Sequence, residues 1–136
     1  MFKDLFSPEE LAEAVEILKS ECMSCDKCPL HAGRTNMVFG VGNAQAKIMF
    51  VGEGPGEQED LSGIPFVGRA GQMLDKFLYA VDIKREDVYI ANILKCRPPK
   101  NRDPLPEEED ACIGYLREQV AHINPKVIVC LGRISA

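Results

Sequence analysis

Three thiols at intervals of three, Cys22, Cys25 and Cys28 in the stretch CMSCDKCPL, are the first residues of this chain that could do chemistry. Two reduced cysteines at C-x-x-C spacing can close on one metal ion or on one cluster. Three more cysteines follow: Cys96 in the proline-rich KCRPPKNRDPLP, Cys112 shortly after it, and Cys130 inside VIVCL. Cys130, flanked by Val129 and Leu131, reads as a small buried hydrophobe. The other five compete for what should be four ligand positions. Spacing leaves three chemistries open. One is zinc held by four cysteines. A second is a bacterial ferredoxin run, which Cys22, Cys25, Cys28 and Pro29 imitate, except that the cysteine before the proline comes after two residues instead of three. The third is a 4Fe–4S cluster assembled from distant segments. Disulfides are disfavoured, because the acidic N-terminus MFKDLFSPEE has no apolar signal core and so points to the reducing cytoplasm.

The chain has 136 residues, 46% of them hydrophobic and 27% charged, which suits a single domain with one core. Its longest apolar run, Val127 to Leu131, is far too short to cross a bilayer, so no membrane partner is expected. The net charge of −5 argues weakly against nucleic acid as a partner. A local basic stretch argues the other way: Lys95, Arg97, Lys100 and Arg102 lie together with no acid between them.

The elements that must position these groups alternate. Ser7-Pro8-Glu9-Glu10 reads as a capping box with proline at the first helical position, and an apolar stripe (Leu11, Ala14, Val15, Ile17, Leu18) carries the helix to about Glu21. Residues 29–46 read as loop, with a short strand at 37–39. A buried strand is expected over 47–52, a long glycine-rich loop over 52–68, a helix over 69–81 on Met73, Leu74, Phe77, Leu78 and Val81, and a strand over 87–94. The proline-rich loop follows, then a helix from Pro106 to about Ile123 with acids in its first turn, and a strand over 126–131. Strand–helix alternation implies a parallel sheet with right-handed crossovers and cover on both faces, that is, an α/β three-layer α/β/α domain. A strand such as VIVCLG normally feeds another helix. Gly132 to Ala136 only begin one, so C-terminal elements are expected to be missing.

Five segments, in order, resemble family 4 uracil-DNA glycosylases, the iron–sulfur branch of the uracil-DNA glycosylase superfamily: CDKCPLHAGRTNMVFGVGN, IMFVGEGPGEQED, GIPFVGRAG, NILKCRPPKNRDPLPEEEDAC and PKVIVCLGR. The resemblance implies a structural 4Fe–4S cluster on Cys25, Cys28, Cys96 and Cys112, with Cys22 outside the pattern. It implies a base flipped out of DNA and read in a pocket. Phe66 would be the stacking platform. Asn92, at a strand end, can donate to uracil O4 and accept from N3–H, a pattern that cytosine reverses. The loop Gly52-Glu53-Gly54-Pro55-Gly56 has no Gly-Lys-Ser/Thr, and Pro55 lacks an amide, so it does not read as a phosphate loop. Its glycines would instead bring backbone amides to uracil O2, and Glu53 would stabilise the sugar cation or place the attacking water.

Glu59 is a second carboxylate expected in that pocket, and Arg97, Lys100 and Arg102 are expected on DNA phosphates. Gly54 stands where the better-known branch of the superfamily carries an aspartate. The family's later His-Pro-Ser motif is absent, and His31 and His122 read as structural, so these 136 residues are expected to turn over weakly or not at all. A monomer is expected. Two other functions fit parts of the pattern: an iron–sulfur electron carrier, and a non-catalytic uracil- or nucleic-acid-binding module.

Overall fold

The computed structural model describes residues 5–132, so most of the element expected to begin over Gly132 to Ala136 and the first four residues lie outside it. Helix α1 (Pro8–Met23) starts on the expected capping box: the Glu10 amide donates to Ser7 Oγ and the Ser7 amide to Glu10 Oε1, both at 3.1 Å. It buries Leu11, Val15, Leu18 and Cys22, a single helical stripe one turn longer than the apolar residues alone indicate. Ile17, assigned to that stripe, faces out. A short helix α2 (Leu30–Gly33) follows the cysteines.

The sheet has strand order β1-β3-β2-β4, from β1 (Val41–Gly42), β2 (Ile48–Gly52), β3 (Tyr89–Asn92) and β4 (Val127–Cys130). The three long strands are parallel and β1 is antiparallel to β3. The short strand expected at 37–39 forms at Val41–Gly42. Val38 and Phe39 are buried beneath the sheet instead, and the Val38 amide donates to the Lys95 carbonyl at 2.7 Å.

Alternate residues of β2 and β3 face two layers. Met49, Val51, Tyr89 and Ala91 join α1 and helix α5 (Pro106–Ile123) in the larger core. Phe50 and Ile90 join Leu74 and Leu78 of helix α4 (Arg69–Ala80) on the other face. This is the three-layer arrangement expected. The region read as a glycine-rich loop contains one further helix, α3 (Glu57–Ser62), started at Gly56 by the Glu59 carboxylate and ended by Gly63 at φ 76°.

Two expectations fail at the same edge. Within the described residues β4 pairs only with β2, so Cys130 is exposed rather than buried. The sequence VIVCL has the composition of a central strand, but composition does not say which strands flank it. Met73 and Phe77 of α4, counted into its apolar face, are 69% and 55% exposed. They stand over an apolar groove of about 750 Å³ with Phe50, Phe66, Val129 and Leu131.

Helix α5 begins on an ion pair. Glu108 takes both Arg102 guanidinium nitrogens at 2.8 Å and the Leu105 amide at 2.9 Å. Arg102 holds the Glu108 carboxyl below its ordinary range. A carboxyl depressed in the folded state stabilises above its unfolded pKa, and the gain is lost as pH falls through the folded value. The parent's melting temperature should therefore drop as pH falls below about 4.3. Glu108→Gln should melt a few degrees lower at pH 7 and lose less on acidification, which thermal melts across pH would show.

Candidate metal centre and base pocket

Five of the six cysteines line one cavity: Cys22 and Cys25 from the end of α1 and the turn after it, Cys28 before α2, Cys96 from the proline-rich loop, and Cys112 from α5. Three separated segments therefore meet there. Cys22, set outside the ligand pattern on sequence grounds, is among them and is 0% exposed. Its place follows from the helical stripe that Leu11, Val15 and Leu18 begin.

Burial pushes the Cys22 thiol up to about 12 and Cys112 to about 11, and it raises Cys96 as well. Cations oppose that rise. Arg34 donates from Nη1 to Cys96 Sγ at 3.2 Å and from Nη2 to the Met23 carbonyl at 3.0 Å, tying the end of α1 to the proline-rich loop. The Lys95 amide donates to Cys112 Sγ at 3.2 Å. Tyr115 lines the same cavity and lies under the Lys27 ammonium, 4.7 Å from its ring centre. Among the described residues no three His, Cys, Asp or Glu side chains come close enough together to hold a single metal ion.

Lys95 is not part of a surface patch. It is 1% exposed, and its ammonium donates to the Asn92 carbonyl at 2.8 Å and to Gln119 Oε1 at 2.7 Å. Burial pulls its pKa down to about 8. The remaining cations of that stretch stay together: Arg97, Lys100 and Arg102 line a cleft of about 330 Å³ beside Pro29 and Gly33. Lys100 holds φ 54°, in the left-handed region. Arg102 already has a partner in Glu108.

The base-reading candidates meet at the carboxyl ends of the parallel strands. Gly52 and Asn92 face each other in register across β2 and β3. A Cβ on Gly52 would collide with Asn92 Oδ1 and with the Phe66 ring, so both side chains press on one bare Cα. Asn92 is buried, 2% exposed. The chain beyond β3 is strapped to the glycine loop, with the Ile93 and Leu94 amides donating to the Gly52 and Glu53 carbonyls at 3.0 Å each.

Phe66 is half-buried at φ 55°, an unusual conformation for a residue with a side chain. Two contacts hold it there. Glu59 Oε2 accepts from the Val67 and Gly68 amides at 2.9 and 2.7 Å while Oε1 accepts from Gly56 at 2.9 Å. Gly71 of α4 also lets the Phe66 carbonyl pack where any Cβ would clash.

Glu53, Gly54, Pro55 and Glu59 line a separate cavity of about 260 Å³ with Ala70, Pro98 and Arg102. Phe66 and Asn92 do not line it; Phe66 borders the apolar groove beside it. Of the expected pocket residues, then, Gly52, Phe66 and Asn92 form one contact and the loop residues form the adjoining hollow. Glu59 is a clamp on the Phe66 loop, its carboxylate engaged by three amides. Glu59→Gln keeps the shape but loses a charge-assisted acceptor. It should lower stability by about 1–2 kcal/mol, with faster amide exchange at Val67 and Gly68.

The matches to known proteins follow this geometry. The family model described as "Uracil DNA glycosylase superfamily" matches residues 39–136. The chain is 56% identical over 124 residues to the type-4 uracil-DNA glycosylase of Archaeoglobus fulgidus, covering 91% of this chain and 62% of that protein. It is 54% identical over 128 residues to the type-4 enzyme of Thermotoga maritima, covering 94% and 65%. The type-4 enzyme of Pyrobaculum aerophilum is 47% identical over 127 residues, covering 93% and 63%. The chain thus spans a little over three fifths of the length of these curated relatives. With that family match over most of its length, the chain belongs to the uracil DNA glycosylase superfamily.

Proposed function

We propose that this chain is the base- and metal-binding part of a uracil-DNA glycosylase, which hydrolyses the N-glycosidic bond of deoxyuridine in DNA and carries a 4Fe–4S cluster on Cys25, Cys28, Cys96 and Cys112. The observation that carries the reading is the meeting of Asn92 and Phe66 on Gly52 at the sheet's carboxyl edge. A flat ring stacked on Phe66 there has the Asn92 amide at its edge. Uracil presents an acceptor at O4 and a donor at N3, matching that amide; cytosine presents the reverse. Breakage of the bond from C1′ to N1 leaves charge on uracil and a cation on the sugar. The Gly54 backbone amide suits the first and the Glu53 carboxylate the second, with water supplying the hydroxyl at C1′.

The thiol cavity fits an iron–sulfur group by its donor set. Five sulfurs from three segments share it, and Arg34 and the Lys95 amide already donate to two of them. Such a group, once bound, supplies cross-linking between α1, the proline-rich loop and α5. Arg97 and Lys100 beside it are the proposed phosphate contacts, with Arg102 shared between Glu108 and DNA. The sequence holds two histidines. His31 borders the thiol cavity and His122 a hollow beside α1, so neither is placed to assist the base, and turnover by these 136 residues is expected to be slow.

The test combines binding and cleavage. Oligonucleotides with a single uracil or cytosine are titrated and incubated with iron-loaded protein, and iron, sulfide and visible absorption are measured alongside. Preference for the uracil strand, with binding that weakens steeply as salt rises, is the expected result. Equal binding of the two strands would refute the uracil reading.

A further inference from the structure

We propose that Lys95 is a positioning residue that couples the thiol cavity to the base-reading Asn92: its backbone amide is bound by Cys112, and its ammonium fixes the Asn92 carbonyl. The proposal rests on the reading of Asn92 as the residue that recognises the base.

Every polar group of Lys95 is engaged. The amide donates to Cys112 Sγ, the carbonyl accepts from Val38, and the ammonium donates to Asn92 and Gln119. It also lies over the Phe39 ring, 5.6 Å from its centre. Gln119 is itself 0% exposed and uses its amide nitrogen on the Phe39 carbonyl at 3.0 Å and on the Tyr89 hydroxyl at 3.1 Å. The Gln119 amide of α5 therefore holds Tyr89 at one end of β3, and the Lys95 ammonium, itself bound to Gln119, holds Asn92 at the other. Between Asn92 and Cys96 the chain has no slack, because the Ile93 and Leu94 amides are bound to the Gly52 and Glu53 carbonyls.

A buried ammonium without a carboxylate is expensive, and an apolar side chain of the same length would usually serve stability as well or better. The oxygens that accept from this one, the Asn92 carbonyl and Gln119 Oε1, are both neutral. Its backbone amide sits on Cys112 Sγ at 3.2 Å while its ammonium sits on the Asn92 carbonyl at 2.8 Å, so a displacement at the thiol cavity reaches the base-reading edge through one residue.

The test uses free uracil as the probe, with iron-loaded parent chain, Lys95→Met, and the double variant Lys95→Met/Gln119→Leu. The double variant removes both buried partners together and covers the case in which the single variant does not fold. Uracil affinity, iron content, visible absorption and the NMR signals of the Asn92 side-chain amide are followed. The expected result is full iron content, an unchanged absorption band, displaced Asn92 amide signals and uracil binding weakened by at least about tenfold. Unmoved Asn92 signals with parental affinity would overturn the proposal, as would loss of iron from both variants, which would make Lys95 a support of the thiol site alone. If the iron-loaded parent itself fails to bind uracil, the base reading fails first and the role of Lys95 falls with it.

Discussion

Alanine at Gly52 is expected to abolish base recognition while leaving the fold largely intact. The new methyl group would occupy the space where Asn92 Oδ1 and the tip of the Phe66 ring now meet. Both obstacles are side-chain ends that can swing away, so the sheet keeps its register and stability falls by no more than about 1–3 kcal/mol. The swing is what ruins the site. Asn92 loses the line of its two hydrogen bonds and Phe66 its stacking plane. Uracil affinity should fall about 100-fold, equivalent to ~2.7 kcal/mol. Equilibrium binding beside thermal melting separates the two effects, and unchanged affinity in a folded variant would dissociate Gly52 from the base site.

The second large effect is expected at Cys96. Serine there removes one sulfur from the cavity and leaves Arg34, which links the proline-rich loop to the end of α1, a smaller, shorter-bonded oxygen as its acceptor. Where metal binding is coupled to folding, the affinity lost is stability lost. Iron content should collapse and the melting temperature fall by about 10 °C or more. Cys130→Ser is the matched control: that thiol is exposed on β4, away from the cavity, and its loss should change neither quantity. Equal iron content in the Cys96 variant would remove Cys96 from the ligand set.

The strands and long helices are legible in the sequence because their signals are local. The Ser7–Glu10 capping box, the apolar run into Gly52 and the acidic first turn of α5 each specify an element without help from the rest of the chain. Residues that depend on distant neighbours read less well. Lys95 looks like one more cation of a basic loop, because charge counting says nothing about burial; only the fold brings Gln119 and the Asn92 carbonyl to it. Cys130 misleads for the opposite reason, since an apolar strand at a sheet edge has the composition of one at its centre. Glu59 had a readable signal. It stands three residues after Gly56, the position from which a carboxylate caps the start of a helix, and α3 begins there. Cys22 was readable too, as the next member of the stripe formed by Leu11, Val15 and Leu18.

The seat that Gly71 provides for the Phe66 carbonyl limits how this scaffold can be re-engineered. A library that randomises 63–68 to admit a different nucleobase inherits a backbone path moulded to a helix with no side chain at position 71. Variants that also diversify that position would scatter the platform rather than reshape it. Productive libraries should hold Glu59 and Gly71 constant and vary only what projects from between them.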